Sequence, residues 1–196
     1  MRNAFKLLLL IMFVIGLWSF KGTGTTYKID PSKSGMTWHM PISTGEHYGT
    51  INVSSGYIVY DGATISSGSF SIDINSVKDL DLSKEKQPAI EKHIKSEDFF
   101  EISKYPYALF KIDNVVRNEK GVLMAHGALT IKGVTKPISF AIRMRTFDGK
   151  VYVDGENIAI NRKDFGLTIK KKGLKGSLEE AVIYDVFKVG FSIALK

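Results

Sequence analysis

The sequence predicts an all-β protein, an eight-stranded antiparallel β-barrel with one short helical insertion near residues 86–100. Apolar and polar residues alternate with period two from Tyr27 onward, as in strands that have one buried and one solvated face. Turn signals such as Asp61-Gly62 and Asp148-Gly149 separate these runs. About eight strands in consecutive hairpins favour a closed barrel over a sandwich, because closure removes exposed sheet edges.

The first residues predict export. Arg2 and Lys6 precede an uninterrupted run of twelve apolar residues, Leu7–Trp18, and small or polar residues follow, as in a secretory signal peptide. A twelve-residue helix covers about 18 Å of the ~30 Å hydrocarbon core, so no stable membrane span is expected. We assign residues 1–24 to the signal peptide and 25–196 to the mature domain, and expect a periplasmic or secreted protein. An uncleaved N-terminal anchor is the alternative.

Composition excludes several classes of function. The chain has no cysteine, which excludes disulfides, thiol catalysis, Cys-ligated zinc and a lipoprotein anchor. Cleavage of the signal peptide lowers the formal charge from +7 to +4, since that segment carries three basic residues and no acid. The basic run Lys170–Lys172 has no interleaved aromatic residues, so we interpret it as a solvated loop. An exported protein rarely meets nucleic acid, and we expect no such partner.

The inward faces of the alternating runs are almost free of charge, which predicts one continuous apolar channel. An eight-stranded barrel is just wide enough to hold side chains or one small ligand. Gly155, inside one run, predicts a bulge or a close backbone approach. The predicted ligand-binding residues are Phe70, Ile72, Ile74, Phe110, Ile112, Ile138, Phe140, Ile142, Met144, Phe187, Val189 and Phe191.

One segment between Leu80 and Phe100 departs from the strand pattern. Its apolar residues recur at near-helical spacing amid charges, which predicts a short helix from about Pro88 to Lys95. Ser96 is then expected to cap a second helical turn through its hydroxyl group.

Three strings, in order along the chain, carry a family resemblance. They are His93-x-x-Ser96-x-Asp98-Phe99-Phe100, then Leu129-Thr130-Ile131-Lys132-Gly133-Val134-Thr135-Lys136-Pro137, then Asn161-Arg162-x-Asp164-Phe165-Gly166. The chain resembles the YceI-like family of exported lipid- or polyisoprenoid-binding proteins from about Tyr27 to Leu195. The resemblance implies a lipocalin-like barrel holding a long isoprenoid, such as a polyprenyl phosphate or a quinone. The string Gly45-x-His47-x-Gly49-Thr50 resembles that of a subgroup of this family. The resemblance therefore implies the class of ligand, a long apolar lipid, and not the particular lipid.

The motif residues also have simple structural explanations. His93 is expected to fix the helix to the barrel rim by hydrogen bonding, and Asp98 to serve a helix start. Phe99 and Phe100 would plug one end of the barrel. Gly133, Thr135 and Pro137 suit a turn between strands, and Asn161 and Asp164 suit an Asx-type turn before Phe165 packs inward. The motif residues interpreted in this way are His93, Ser96, Asp98, Phe99, Gly133, Thr135, Pro137, Asn161, Asp164, Phe165 and Gly166.

Metal and catalytic chemistry find little support. His39, Glu46, His47 and His126 carry competent ligand groups, but their spacing matches no standard motif, and we expect no metal and no cofactor. The chain has no G-x-S-x-G and no phosphate-binding glycine loop. We therefore do not expect an enzyme. A weaker alternative is an enzyme acting on a lipid in the channel, with His93 or His47 as base.

Two functional hypotheses follow. The first is an exported protein that carries or sequesters an isoprenoid or another long apolar lipid in its barrel. The second is an envelope stress or interaction protein whose barrel is filled by its own side chains. The inward phenylalanines are numerous enough to allow the second.

Overall fold

A computed structural model describes residues 24–168 and 182–196, so the predicted signal peptide and the basic run at 170–172 lie outside the described residues. Its elements are nine strands and one α-helix, with short 3₁₀ turns at 31–33 and 162–165. In chain order they are β1 (Thr25–Lys28), β2 (Gly35–Ile42), β3 (Gly45–Tyr60), β4 (Ile65–Asp79), α1 (Gln87–Lys95), β5 (Tyr107–Arg117), β6 (Leu123–Ile131), β7 (Val134–Phe147), β8 (Lys150–Asn161) and β9 (Val186–Ala194).

Eight of these strands close into a barrel. The hydrogen-bonded order is β1-β3-β2-β9-β8-β7-β6-β5-β4, and β4 returns to pair with β3. Every pairing is antiparallel. Strand β1 pairs with the end of β3 and adds a ninth strand outside the ring, and Lys28 at its end exchanges two backbone hydrogen bonds with Lys196. The predicted eight-stranded antiparallel barrel is confirmed.

The period-two pattern places the core inside the ring. On β5 the residues Ala108, Phe110 and Ile112 are buried, whereas Leu109 and Lys111 between them are exposed. A strand's successive side chains point to opposite faces of the sheet, so one face lines the interior and the other meets water. The same alternation recurs on β4 and β6.

One predicted turn and one predicted bulge form as expected. Asp148 and Gly149 both have positive φ (48° and 70°) and join Phe147 to Lys150 in a two-residue hairpin, the geometry that Asp-Gly favours. Gly155 marks a bulge, because the β8–β9 register shifts between Gly155 and Ile158. A Cβ at Gly155 would lie 2.5 Å from the ring of Phe191, so both predicted reasons for this glycine hold.

The helical insertion covers one end of the barrel. Helix α1 buries Ile90 and is tied to the end of β4, because the backbone N–H of Asp79 donates to Glu91 Oε1 at 3.2 Å. The predicted capping role of Ser96 is wrong, because its hydroxyl donates to the carbonyl of His93 at 2.7 Å and so closes the C-terminus of α1. The turn expected after it is present, since the backbone N–H groups of Phe99 and Glu101 donate to the Ser96 carbonyl at 3.2 Å and 2.7 Å. We call this end of the barrel the helix end.

Strands β7 and β8 separate towards the helix end. Their pairing runs only from Arg143–Phe147 to Lys150–Asp154, and within the described residues no pairing joins the first nine residues of β7 to β8. We call this gap the β7–β8 seam. The half-buried side chains of Ile138 and Phe140 lie along it.

Pro137 occupies a position of β7 at which a proline removes no ladder hydrogen bond. Counting from the hairpin pair Ile131–Val134, Pro137 opposite Ala128 is a non-hydrogen-bonded pair, so its nitrogen faces the seam. A proline there removes no hydrogen bond from the ladder with β6.

No helix within residues 24–168 and 182–196 combines the length and the apolar character needed to cross a membrane.

Candidate ligand-binding cavity

The helix-end half of the barrel encloses a cavity of about 160 Å³. Strands from around the ring supply its walls, and Ile90, Ile94, Phe99 and Phe100 from α1 and the turn after it cover it. Among the described residues every lining side chain is hydrophobic except those of His47 and His93, and Trp38 adds an indole N–H. Such a cavity stays dry and favours apolar guests.

Nine of the twelve predicted ligand-binding residues line this cavity: Phe70, Ile72, Ile74, Phe110, Ile138, Phe140, Phe187, Val189 and Phe191. The other three, Ile112, Ile142 and Met144, belong to the core on the far side of the barrel and do not line it. The prediction that these three line the channel is therefore wrong, because side chains fill that half. Ligand contact stays a prediction for all twelve.

A layer of four rings separates the cavity from the filled half. Phe110 lies 6.0 Å from Phe70 and 5.2 Å from Phe140, and Phe191 lies 6.4 Å and 5.9 Å from the same two rings, centroid to centroid. We call Phe70, Phe110, Phe140 and Phe191 the phenylalanine layer. Beyond it Ile58, Ile65 and Val153 are at most 1% exposed, so that half of the barrel is filled. The filled half supports part of the self-filled hypothesis.

Glycines on neighbouring strands make room for this layer. A Cβ at Gly127 would lie 3.0 Å from the Phe110 ring, and one at Gly56 would lie 3.0 Å from Phe70. The same Cβ atoms would lie even closer to backbone carbonyl oxygens, 2.0 Å from that of Lys111 and 2.4 Å from that of Ser69, so a larger residue would displace both the rings and the neighbouring strand. The layer thus combines phenylalanines on four strands with glycines, which have no side chain, on neighbouring strands.

His47 brings a polar group into the cavity wall. It lies on β3 opposite Met40 of β2 and is 5% exposed. Its Nδ1 is 2.8 Å from Asp81 Oδ2, and Asp81 Oδ1 accepts the backbone N–H of Tyr48 at 2.9 Å. Burial disfavours the charge on Asp81, yet the Tyr48 N–H and the imidazole hold the pKa of Asp81 below its ordinary value. The carboxylate therefore accepts, and Nδ1 of His47 carries the proton.

The other ring nitrogen of His47 has no protein partner. Nε2 is buried, and none of the described residues hydrogen-bonds to it. A buried polar atom without a partner costs about 1–3 kcal/mol, so such an atom calls for an explanation. Sequence reasoning treated His47 as a metal candidate or as the base of an enzyme, without placing it in the barrel wall. The signal that would have placed it inside is the alternation of His47, Gly49, Ile51 and Val53, whose side of β3 is buried.

His93 supplies the second polar group. It projects from α1 into the same cavity, and its ring lies 6.3 Å from that of Phe99. Burial lowers the pKa of His93, so its neutral form is favoured. The expected hydrogen bond to the barrel rim is absent at Nε2, which is buried and has no partner among the described residues.

The predicted metal candidates are dispersed. His39 lies 3.7 Å from Glu46 on the surface, and His126 Nδ1 is 2.7 Å from the Ser139 hydroxyl. Among the described residues, His47 is the one candidate of the four that lies with other ligand groups. One ligand atom from each of His47, Asp79 and Asp81 lies within 4.8 Å of the other two. The 2.8 Å contact between His47 and Asp81 already satisfies one ligand atom of each. We therefore interpret this group as a hydrogen-bonded cluster.

Asp79 is the most perturbed group of the cluster. It is 1% exposed, and its Oδ1 accepts the backbone N–H of Leu82 at 2.9 Å while Oδ2 has no partner in the described chain. Burial first, and then the neighbouring Asp81, raise the pKa of Asp79 from 3.8 to about 6.

Relative to wild type, the Asp79→Asn variant is expected to become more stable as the pH rises from about 4 to about 6. A folded-state pKa above the unfolded value means that wild type loses stability between about pH 4 and pH 6, on the order of 2–3 kcal/mol. The amide can still accept from Leu82 but does not ionise. The lowered pKa of His93 has the opposite effect, since it makes the fold more stable as the pH rises. Both proteins share that contribution. Urea unfolding of both proteins at several pH values gives the difference, and a difference that does not change with pH would contradict the assignment.

The remaining motif residues lie in or beside turns, except Pro137, which was expected in the turn and lies within β7. Lys132 and Gly133 form the β6–β7 turn, and the Thr135 hydroxyl is 2.8 Å from that of Thr130 across the hairpin. Asn161 Oδ1 accepts the N–H of Lys163 at 3.0 Å, which is the predicted Asx turn. Asp164 lies in the 3₁₀ turn that follows, Phe165 is buried, and Gly166 ends the turn with φ at 67°.

Two further motif residues form hydrogen bonds between loops at the helix end. Arg162 was not singled out from the sequence, yet it donates to Asp185 at 2.7 Å and to the carbonyl of Leu167 at 2.9 Å. Asp98 does not begin a helix. Its carbonyl accepts the N–H of Thr168 at 3.1 Å, which ties the two loops together.

Comparisons with curated proteins find relatives of part of the chain. A UPF0312 protein of Vibrio cholerae is 38% identical over 90 residues, which is 46% of each chain. A UPF0312 protein of Pseudomonas putida is 30% identical over 129 residues, 66% of this chain and 64% of the relative. The chain thus spans about half the length of the Vibrio relatives that it matches.

Comparisons with solved structures and family models cover nearly the whole barrel. BcnA of Burkholderia cenocepacia has a TM-score of 0.70 at 19% identity, covering 86% of this chain and 99% of its own. A polyisoprenoid binding domain from Saccharophagus degradans has a TM-score of 0.63 at 17% identity, covering 87% and 97%. At these identities the likeness shows the fold. The model of the YceI-like domain matches residues 27–195, and the chain belongs to the family that this model describes.

Proposed function

We propose that this protein is an exported carrier that holds an isoprenoid or another long apolar lipid in its barrel. The observation that carries the proposal is the cavity whose lining is apolar at every residue but two. Transfer of apolar surface into it gains about 25 cal/mol per Å², so roughly 500 Å² of buried surface contributes about 12 kcal/mol and leaves micromolar affinity after association costs of about 4 kcal/mol.

Family membership supports the same class of ligand. The domain from Saccharophagus degradans is described as polyisoprenoid binding, and its fold is shared by this chain. A chain of isoprene units offers no hydrogen-bonding groups along its length, which matches walls built from Ile, Val, Met and Phe side chains.

The size of the cavity limits how much of a long chain enters without rearrangement. A cavity of about 160 Å³ is close to the ~150 Å³ of cavities that hold benzene. A longer chain therefore has to displace the phenylalanine layer or leave through the β7–β8 seam. The seam is suited to this, because Ile138 and Phe140 reach both the cavity and the surface there.

The second candidate remains an envelope stress or interaction protein with a self-filled barrel. The filled half beyond the phenylalanine layer favours it. Under this alternative the cavity is only a packing defect at the helix end.

We propose binding rather than catalysis. Apart from the two imidazoles, no lining side chain in the described part of the chain carries a group that attacks a substrate or transfers a proton. An imidazole base without a nucleophile or an electrophilic partner is better suited to holding a polar head.

One experiment tests export and lipid binding together. The full chain is expressed in a bacterial host, the exported fraction is isolated, and the protein is examined by N-terminal sequencing and native mass spectrometry. We expect a chain that begins near Thr25 and carries a non-covalent mass that organic solvent extracts. Full-length protein confined to the cytosol would contradict export. Exported protein that never carries an extractable lipid, even after incubation with prenols, would favour the self-filled alternative.

A further inference from the structure

We infer that His47 and His93 form a headgroup subsite at the helix end of the cavity, which selects lipids with an uncharged hydroxyl head. This inference rests on the proposed lipid-binding function and deepens it. The two imidazoles and the indole N–H of Trp38 are the only hydrogen-bonding side-chain groups in the cavity lining of the described residues, and Nε2 of each imidazole and Nε1 of Trp38 are buried without a partner among those residues.

The fold brings both side chains to one end. His47 lies near the start of β3, where Gly49 pairs with Asp79 at the end of β4. The N–H of Asp79 donates to Glu91 Oε1 at 3.2 Å, and Glu91 precedes His93 on α1 by two positions. The headgroup subsite therefore lies where β3, β4 and α1 meet.

The hydrogen bond to Asp81 sets the polarity of the His47 nitrogen. Because Nδ1 donates to Asp81 at 2.8 Å, the neutral ring presents the lone pair of Nε2 to the cavity. That atom needs a donor. His93 is favoured in its neutral form, which still carries one N–H. A hydroxyl group donates to the His47 lone pair and accepts from an N–H, which Trp38 offers at Nε1 and the neutral His93 ring offers at one of its nitrogens.

The surrounding charges disfavour an anionic head. Asp81 contacts the His47 ring, Asp79 lies in the same cluster, and the cavity lining of the described residues includes no Lys or Arg. A phosphate brought to this end would face two carboxyl groups in an apolar environment without a cation. Although the family resemblance implied either a polyprenyl phosphate or a quinone, the headgroup subsite favours an alcohol or a quinol.

The test uses three chain-matched isoprenoids: farnesol, farnesyl methyl ether and farnesyl phosphate. The ether keeps the chain and an acceptor oxygen but has no donor for His47. Affinities are measured by displacement of a fluorescent apolar probe from the mature protein. We expect farnesol to bind about tenfold tighter than the ether, as one hydrogen bond allows, and the phosphate to bind most weakly.

Variants assign the preference to the headgroup subsite. In His47→Phe the preference for farnesol over the ether, measured as the ratio of the two affinities, is expected to fall to within about twofold. Asp81→Asn, which keeps the imidazole but removes the ionised acceptor, is expected to weaken the preference in the same direction. His126→Phe, on the outer face of β6, is the matched control and keeps the full preference. Thermal melts establish that each variant is folded.

The outcomes separate this inference from the proposed function. Equal binding of alcohol and ether by wild type, or a preference that survives both His47→Phe and Asp81→Asn, would overturn the headgroup subsite and leave the lipid carrier standing. Tightest binding of the phosphate would overturn it as well. If the folded protein binds none of the three compounds, the carrier function itself fails and the headgroup subsite fails with it.

Discussion

Replacement of Phe110 by aspartate is expected to abolish lipid binding and to bring the barrel close to unfolding. Phe110 is 6% exposed and contacts two other rings of the phenylalanine layer. Loss of a buried phenyl ring alone costs about 3–5 kcal/mol, and an unpaired carboxylate in an apolar interior adds to this. Since whole domains are stable by only about 5–15 kcal/mol, the combined loss consumes most of the reserve.

The neighbouring Lys111→Asp variant is the control. Lys111 lies one position along β5 on the solvated face, with its side chain 73% exposed, so the same new charge enters water. We expect a change in unfolding free energy within about 0.5 kcal/mol and nearly unchanged lipid affinity. Urea unfolding and probe displacement measure both quantities. Similar losses in the two variants would contradict the assignment of inward and outward faces.

Replacement of Phe140 by alanine is expected to separate the carrier from the self-filled protein. Phe140 joins the phenylalanine layer through Phe110 and Phe191 and also borders the β7–β8 seam. Its truncation is expected to lower the unfolding free energy by about 3 kcal/mol, the lower end of the range for Phe to Ala because the ring is only half-buried.

The carrier and the self-filled barrel differ in what this variant gains. In a carrier, removal of the ring opens the floor of the cavity, and prenols longer than farnesol are expected to bind more tightly relative to farnesol. In a self-filled barrel, stability falls and no longer ligand is gained. Phe147→Ala on the same strand is the control, since Phe147 is 64% exposed and should change neither quantity appreciably. Calorimetric titration with prenols of increasing length measures the effect.

The parts of the fold that depend on local patterns were predictable from the sequence. Alternation specifies which side of a strand is buried, and Asp148-Gly149 accommodates the positive φ values that its turn requires. The helix between β4 and β5 was also predictable, since its spacing differs from that of a strand. Ser96 misled because a serine suits either end of a helix, and only the fold shows its hydroxyl bonded to His93.

The candidate site depends on contacts between distant segments and was only partly predictable. The phenylalanine layer forms from four strands, and sequence alone does not show that its rings meet midway and fill one half of the barrel. The partner of His47 is Asp81, 34 positions away in a segment with no strand pattern. Sequence spacing therefore could not show that the His47 imidazole is oriented inside the barrel by a carboxylate.

The β7–β8 seam gives this barrel an adjustable circumference. Ladder hydrogen bonds join β7 to β6 and β8 to β9, whereas near the helix end no strand pairing joins β7 to β8 within the described residues. Among those residues, spreading the two strands there breaks no ladder hydrogen bond and costs the apolar area exposed, at about 25 cal/mol per Å². A guest with a bulky ring would therefore be accommodated by widening at one junction while the rest of the ring keeps its register. The barrel therefore adapts at lower cost to the width of a guest than to its length.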